Sequence, residues 1–481
     1  MSESIAEMVI PGTYIEVRAE GLIAVGGIST GNIGIVGTAA RGPVGQVRAI
    51  GSLAEATDLF GLPDGFGSPR LAGQPLTLVR ALEQAFGGGA RNVMAVRIAN
   101  GDPTPATLAI RSAGDQDAFT ITAAGTAGAD GAEIGGSSGT WGRDISVEVA
   151  LDTSSGANRW RLSLSYRTTR ETFEGANVGE VHAALAGSSL VTVGDVANGG
   201  SAFEPMTGTL AGGTDGANVT SIQVTAGLAA LEDQDVNILL VAGLGADVVG
   251  NAVQGHLERT ENDGRERIAV LGARAAGTAT AAAPVEADAA AISDDRVVLV
   301  APGIRATDTA SGAAVTLPPS YLAAVVAGRL STLAPHVSLT NQQLPVAPDV
   351  RYSSALTQRL LGQRVLLVRQ KVGAQVVRAI TTAQPPFTQI SVRRTVDYAK
   401  AGVRLGADPY IGRLNNARVR AALQATLDGF LSQMVLDEML VSYQLAVTAT
   451  RAQERAGVCM VVMTLRPTFS IDFIRVTMNL E

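Results

Sequence analysis

The chain has 481 residues, of which 46% are hydrophobic and 17% charged, so we expect a globular protein with two to four domains. The net charge of −7 gives no overall reason to expect nucleic-acid binding. No stretch approaches the roughly 20 apolar residues of a membrane helix, and a single cysteine, Cys459, excludes an intrachain disulfide. Cys459 lies in an apolar run and is predicted to be a small core residue. The first residues, MSESIAEM, lack the basic start and apolar core of a signal peptide, which predicts assembly in the cytoplasm.

Basic and acidic residues are unevenly distributed along the chain. From Val350 onward there are 17 basic and eight acidic residues, a balance of +9, which leaves −16 for residues 1–349. A basic C-terminal part beside an acidic body indicates either an acidic partner or salt bridges between the two parts. The sequence leaves both interpretations open.

The first hundred residues predict one isolated strand followed by an α/β segment. The isolated strand, 14–17, follows Pro11-Gly12 and alternates as a one-faced strand that needs a sheet to join. Further strands are predicted at 32–36, 44–50 and 93–98. Helices are predicted at 52–60, where Ser52 and Glu55 form a capping box, and from Pro75 to residue 86.

Residues 101–215 have a different pattern. Short alternating strands at 106–110, 119–122, 145–151 and 160–167 are separated by Gly-rich stretches, which is typical of an inserted β-rich domain. Apolar strand runs at 236–241, 268–271 and 297–300 then resume the α/β pattern, with helices predicted at 246–260 and 321–333.

Residues 346–481 are predicted to form the basic module. It contains a hairpin (365–370 with 376–380), a long helix capped by Asn415 or Asn416, and a strand at 443–448. The chain ends in two β-runs that flank Arg466-Pro467. The run 458–465 is apolar at nearly every position, which predicts a strand buried on both faces.

The last β-run carries an unusual pattern. Its apolar residues Phe469, Ile471 and Phe473 alternate with Ser470 and Asp472, and the phase then flips to Ile474, Val476, Met478 and Leu480. Such a flip needs a bulge, a twist or burial on both faces. The pattern alone favours an inner strand of the protein's own sheet. The alternative is a terminal arm that another subunit's strand completes.

The sequence offers no catalytic constellation. Gly27-Ile28-Ser29-Thr30-Gly31 matches G-x-S-x-G, but a strand follows Ser29 where a nucleophile elbow needs a helix. Gly243-Leu244-Gly245 lacks the third glycine of a dinucleotide-binding loop, and there is no P-loop. The histidines His182, His256 and His336 are far apart, and with one cysteine they predict no zinc site. We therefore expect no catalytic residue, metal or cofactor.

Several stretches resemble contractile tail sheath proteins of phages, tailocins and related injection systems. They are ProGlyThrTyrIleGlu (11–16), Phe60-Gly61, the run Phe86-Gly87-Gly88-Gly89, LeuAlaGlyGlyThrAspGly (210–216), ProProSer (318–320), Ala327-Gly328, Asn341, ThrLeuArgPro (464–467) and SerIleAspPheIleArgValThrMet (470–478). The resemblance implies an α/β core of subtilisin-like topology without its active site, hexameric rings stacked helically around an acidic inner tube, and strand-exchanging arms.

On this basis we expect an N-terminal arm (1–20), an α/β core (21–100 plus 216–345), an inserted β-rich domain (101–215) and a C-terminal α+β module (346–481). Candidate inter-subunit strand residues are Tyr14, Ile15, Val17, Val461, Met463, Ile471, Phe473, Ile474, Val476 and Met478. Candidate tube-facing basic residues are Arg393, Arg394, Arg413, Arg418 and Arg420.

The expected partners are other copies of the chain, an inner tube protein, and baseplate and tail terminator proteins. Neither nucleic acid nor membrane insertion is expected. The expected particle is a tail assembled in the bacterial cytoplasm. One alternative is a cytoplasmic α/β hydrolase or dehydrogenase with a β insertion. A surface adhesin is disfavoured by the missing signal peptide.

Overall fold

The structure, a computed structural model, describes residues 27–64, 75–114, 116–124, 126–127, 133–134, 138–153, 158–197, 202–274, 277–308 and 312–479. The predicted strand with Tyr14, Ile15 and Val17 lies outside these residues. The chain divides into two compact units. The main unit comprises residues 29–394 and 470–481, and the C-terminal unit comprises residues 1–28 and 395–469.

The strands and helices have the following bounds. The strands are β1 (Ile33–Gly37), β2 (Val47–Ile50), β3 (Val93–Arg97), β4 (Thr104–Ser112), β5 (Gln116–Ala123), β6 (Thr126–Ala127), β7 (Glu133–Ile134), β8 (Ser146–Asp152), β9 (Arg159–Tyr166), β10 (Thr169–Gly175), β11 (Val191–Val193), β12 (Met206–Thr209), β13 (Ala211–Thr214), β14 (Ile238–Val241), β15 (Ile268–Gly272), β16 (Val297–Ala301), β17 (Ile304–Thr307), β18 (Ala314–Leu317), β19 (Gln343–Leu344), β20 (Ala347–Pro348), β21 (Val365–Lys371), β22 (Gly373–Val376), β23 (Leu440–Thr448) and β24 (Met460–Pro467). The helices are α1 (Leu53–Phe60), α2 (Leu78–Gly88), α3 (Val178–Leu185), α4 (Ser221–Ala230), α5 (Ala246–Asn262), α6 (Ala283–Ala291), α7 (Pro319–Ser331), α8 (Ser354–Gly362), α9 (Ile390–Ala407), α10 (Ala417–Leu436) and α11 (Arg451–Arg455).

The main unit is built on a nine-stranded sheet with the order β19-β22-β21-β16-β15-β14-β1-β3-β2. The six strands from β21 to β3 are parallel, and the edge strands pair antiparallel. Strands β1, β15 and β16 are buried at every position, which explains their nearly unbroken Val, Ile and Leu content. The predicted α/β core is thereby confirmed as a mixed α/β fold. Strands β21 and β22, from the range assigned to the C-terminal module, belong to this sheet.

Helices cover both faces of the sheet. One apolar core joins α2 and α7 to the sheet side that carries Ile33 and Ile35, and the other contains Val36 together with residues of α4, α5, α6 and α8. Helices α2 and α7 meet backbone to backbone. A Cβ atom on Gly88 would lie 2.4 Å from the carbonyl oxygen of Val325, so only glycine allows this approach.

The inserted region contains two four-stranded sheets, β10-β9-β8-β12 and β11-β5-β4-β13. Residues from both sheets share one apolar core, which includes Ile110, Phe119, Val147, Leu162 and the fully buried Trp141. The alternation predicted for these strands is therefore the alternation between core and solvent faces.

The C-terminal unit packs α10 against the hairpin β23-β24. Asn416 caps α10 by accepting a hydrogen bond from the Val419 amide, 2.9 Å away. Phe430 lies against α9 at Gly402, where a Cβ atom would be 2.0 Å from the Phe430 ring. Among the described residues, no helix of either unit is long and apolar enough to cross a membrane.

Three sequence predictions need correction. The run 458–465 was expected to be buried on both faces, but β24 alternates between exposed and half-buried positions because α10 covers only one face of the hairpin. Cys459, expected in the core, is half-buried. The helix expected from Pro75 begins at Leu78.

Candidate assembly site

The terminal hairpin is a small sheet with open edges. Strands β23 and β24 pair antiparallel from Leu440 opposite Pro467 to Thr448 opposite Met460, with an irregularity near Leu440. Of the candidate arm residues, Val461 lies opposite Val447 and Met463 opposite Leu445. Neither outer edge of this hairpin is paired with another strand in the part of the chain that the structure describes. A two-stranded sheet is marginally stable alone and offers unpaired backbone groups to a further strand.

The segment after this hairpin forms no strand between residues 468 and 479, which excludes the inner-strand interpretation for these residues. Its apolar side chains are exposed by 57% to 84%: Phe469, Ile471, Phe473, Ile474, Val476 and Met478. The polar side chains at its start have the opposite placement, whereas Arg475, Thr477 and Asn479 are exposed. Ser470 is half-buried, and the Asp472 side chain is only 8% exposed.

This inverted placement leaves apolar side chains uncovered on both sides of the phase flip at Phe473 and Ile474. An apolar group in water costs free energy that burial against a partner recovers. Alternating apolar exposure is also the pattern with which an added strand contributes side chains to a neighbouring sheet. The segment therefore has the properties of a strand that lacks its sheet.

Of the predicted basic residues, Arg413 and Arg418 are exposed and Arg420 is half-buried in the C-terminal unit. The Arg413 Nε donates to the Pro409 carbonyl oxygen over 3.0 Å. Arg420 is bound inside the unit, with its Nη1 3.0 Å from the Glu454 Oε1. Hydrogen bonds from Arg451 and Arg420 lower the pKa of the Glu454 carboxyl.

An apolar hollow adjoins these arginines. A cavity of about 300 Å³ is lined by Tyr410, Ile411, Arg413, Leu414, Arg420, Leu423, Cys459 and Val461, among others. Ile411 and Leu414 are 79% and 78% exposed. The loop before α10 thus combines a cationic rim with exposed apolar side chains, a combination typical of protein-binding surfaces.

Arg393 and Arg394 are placed differently, because both side chains are buried in the main unit. The Arg393 Nη1 lies 2.8 Å from the Asp295 Oδ2, and its guanidinium lies over the Phe387 ring. The Arg394 Nη2 donates to the carbonyl oxygens of Thr30 and Leu333. Their positive charges are therefore engaged within the protein.

The enzyme-like motifs have structural roles. Ser29 directly precedes the loop into β1, and its hydroxyl contacts the Asn237 Oδ1 at 3.2 Å. Gly245 is the N-cap residue of α5, in an ordinary strand-to-helix turn after β14. In the described ranges no group of three or more His, Cys, Asp or Glu could hold a metal ion.

His256 lies in the interior of the main unit. It is fully buried, and the Arg267 Nη1 lies 3.0 Å from its Nε2, so the ring accepts a hydrogen bond there. Burial and the neighbouring Arg267 and Arg259 lower its pKa to about 3. A histidine that stays neutral in this way is a packing group of α5.

The region that contains this hairpin and segment is also the region that a known protein family matches. Residues 382–481 match the family model of the phage tail sheath C-terminal domain. No curated protein compared with the chain matches it.

Three solved sheath structures are similar over nearly the whole chain. The sheath tail protein of Desulfitobacterium hafniense is 18% identical, with 95% of this chain and 100% of that chain covered and a TM-score of 0.65. The sheath tail protein of Listeria innocua is 14% identical over 92% and 93%, with a TM-score of 0.63. The contracted helical sheath of the anti-feeding prophage is 15% identical over 98% and 99%, with a TM-score of 0.55.

The chain thus has the fold of these sheath proteins, and its residues 382–481 match the phage tail sheath C-terminal domain. The resemblance to contractile tail sheath proteins is confirmed. The matched family model and the three similar structures are all described as sheath proteins, and none is described as a hydrolase.

Proposed function

We propose that the chain polymerises as stacked hexameric rings around an inner tube and contracts to drive that tube through a target envelope. The observation that carries this proposal is the exposed apolar terminal segment, which lies within the region matched to the sheath C-terminal domain. We retain a subtilisin-like topology of the core, assembly in the bacterial cytoplasm, and contacts with baseplate and tail terminator proteins as parts of the proposal.

In this proposal the two termini exchange strands between neighbouring copies. Residues 471–478 add to the sheet of one neighbour, and the N-terminal strand with Tyr14, Ile15 and Val17 adds to that of another. The open hairpin β23-β24 receives the strands of other copies and supplies Val461 and Met463 to the same sheet. Backbone hydrogen bonds of such a shared sheet would keep subunits linked while their bodies move.

Truncation after Pro467 tests the exchange. We expect the shortened chain to remain soluble and to form no sleeves, as judged by negative-stain microscopy. Two full-length variants complement the truncation. One replaces Ile474 and Val476 with serine, and the control replaces the similarly exposed Ile222 of α4 with serine. Sleeves of normal length from the truncated chain would contradict strand exchange.

We further propose that the loop before α10 faces the acidic inner tube. Arg413 and Arg418 supply exposed positive charge, and Ile411 and Leu414 supply apolar contact beside it. Arg420 supports this loop through Asn415, whose Oδ1 accepts its hydrogen bond over 2.8 Å. Arg393 and Arg394 are not part of this surface, because both are buried, Arg393 in an ion pair with Asp295 and Arg394 in hydrogen bonds to backbone carbonyls.

Contraction would then be the relaxation of a metastable packing that a kinetic barrier preserves. Such a mechanism requires no nucleotide.

A further inference from the structure

The root of the terminal segment is bound to the main unit through its backbone. The Gln389 Oε1 accepts a hydrogen bond from the Ser470 amide at 3.1 Å, and the Gln389 Nε2 donates to the Ser470 carbonyl oxygen at 3.1 Å. This paired exchange is the one that two opposite residues make in an antiparallel sheet. A single amide side chain therefore replaces a neighbouring strand at Ser470.

Asp472 is held from three sides. The Arg378 Nε donates to its Oδ2 at 2.8 Å, and the Gln389 Nε2 lies 3.2 Å from the same oxygen. The Thr340 hydroxyl lies 3.4 Å from its Oδ1. Charge-assisted hydrogen bonds of this kind are stronger than neutral ones, and the 8% exposure of Asp472 shields them from solvent.

The three residues that hold the segment lie on stretches that are joined by hydrogen bonds. The Thr340 hydroxyl accepts a hydrogen bond from the Ala379 amide at 3.0 Å, next to Arg378. Gln389 forms an isolated antiparallel bridge with Ile380. Thr340, Arg378 and Gln389, here called the clamp, thus come from one hydrogen-bonded region of the main unit.

The hydrogen bonds of the clamp all go to polar groups of the segment. Ile471 and Phe473 remain 79% and 80% exposed, although the Arg378 guanidinium lies 5.3 Å from the Phe473 ring centre. Beyond Phe473 no side chain is buried among the described residues up to Asn479. The segment therefore has a fixed root and a free end.

We propose that the clamp sets the direction and the register in which residues 471–478 reach a neighbouring copy of the chain. This inference rests on the proposed strand exchange. A slip of one residue would turn every apolar side chain to the wrong face, so register must be specified somewhere. A root that is already ordered also lowers the entropy that association has to overcome.

The test compares full-length clamp variants with the truncation after Pro467. Gln389→Ala and Arg378→Met each remove the hydrogen bonds of one clamp residue. Asp472→Asn removes the negative charge of the segment that the clamp binds, without altering the core. We expect each to lower the association constant for sleeve growth roughly tenfold, the factor for one charge-assisted hydrogen bond. The remaining sleeves should be short and irregular in negative stain.

Gln358→Ala and Arg369→Met are matched controls, because both residues are exposed on the main unit away from the segment. Hydrogen exchange supplies a second readout on the unassembled chain. Loss of the clamp should accelerate exchange at the Ser470 amide and leave the amides of β15 and β16 protected. A merely unfolded variant would lose both.

Sleeves of normal length and regularity from all three clamp variants, together with none from the truncated chain, would overturn the clamp and leave strand exchange intact. Normal sleeves from the truncated chain would instead overturn strand exchange itself, and with it the role of the clamp.

Discussion

The Arg97 Nη2 lies 3.6 Å from the Asp215 Oδ1, and both side chains are almost completely buried. Arg97 ends β3 just before the chain enters the inserted domain, and Asp215 lies where the chain returns. Arg97 also donates to the Ser138 carbonyl oxygen at 3.1 Å, while the carboxylate of Asp215 accepts from the amide and hydroxyl of Thr140. The segment that leads into the inserted domain and the segment that returns from it are thereby joined by one buried ion pair.

We predict that Asp215→Ala strongly destabilises the main unit. It leaves the Arg97 guanidinium buried without its counter-charge, which typically costs about 3–5 kcal/mol. Denaturant unfolding of the assembly-incompetent truncated chain measures this cost. The control, Glu174→Ala, removes the exposed partner of Arg161 and should cost far less, because solvent screens an exposed pair. Equal costs for the two substitutions would show that the buried pair does not join the domains.

Two adjacent glycines of α2 should respond in opposite ways to alanine. Gly88→Ala would place a Cβ atom 2.4 Å from the Val325 carbonyl oxygen, so it should destabilise by about 1–3 kcal/mol. Gly87→Ala meets nothing within 4 Å and should stabilise the helix by up to about 1 kcal/mol. Thermal unfolding of the two variants checks the difference. The same sign for both would contradict the close approach of α2 and α7.

His256 should make the main unit sensitive to acid. Its pKa is about 3 in the folded protein and 6.5 in the reference state, so only the unfolded chain gains a proton between these values. The stabilisation is complete above pH 6.5 and declines as the pH falls towards 3, by up to about 1.4 kcal/mol per pH unit. His256→Gln can still accept the hydrogen bond of Arg267 but cannot titrate. Its unfolding free energy should depend less steeply on pH in this range, and parallel curves would refute the assignment.

Substitution of the exposed and of the buried arginines should affect different properties, tube binding in the first case and stability in the second. Arg413→Glu with Arg418→Glu should weaken binding to the tube, most strongly at low salt, and leave the unfolding free energy nearly unchanged. Arg393→Ala should instead lower the unfolding free energy, because it leaves Asp295 without its ion-pair partner. Arg455→Glu, at an exposed position of α11, is the control for net charge. Unchanged tube binding at low salt after the double reversal would contradict the proposed surface.

The terminal segment shows how far a periodic pattern can be interpreted. Its alternation and phase flip are visible in the sequence, and both mark Ile471, Phe473, Ile474 and Val476 as apolar residues of a strand-like stretch; the structure leaves these side chains exposed. The pattern favoured cover by the chain's own sheet. Period-2 alternation reports that a face is apolar, and it carries no information about which molecule covers that face.

The basic residues show that charge counted along the sequence does not reveal which side chains are exposed. The excess of positive charge after Val350 was evident from composition, but composition assigns equal weight to every arginine. Arg393 and Arg394 are directed into the main unit, while Arg413 and Arg418 remain exposed on a loop and a helix start. Helix orientation and the presence of Asp295 decide this, and both depend on residues distant in the chain.

The sequence by itself predicted the α/β core, the β-rich insertion and the helix cap at Ser52, and it narrowed the cap of α10 to Asn415 or Asn416. These features depend on local backbone preferences and on the spacing of apolar residues, which neighbours in the chain define. Only the tertiary structure decided that Arg97 meets Asp215, that Gln389 pairs with Ser470, and that the apolar side of the last segment stays exposed. Each of these joins residues more than 80 positions apart or depends on a missing neighbour, because burial is a property of the whole packed chain and not of any one stretch.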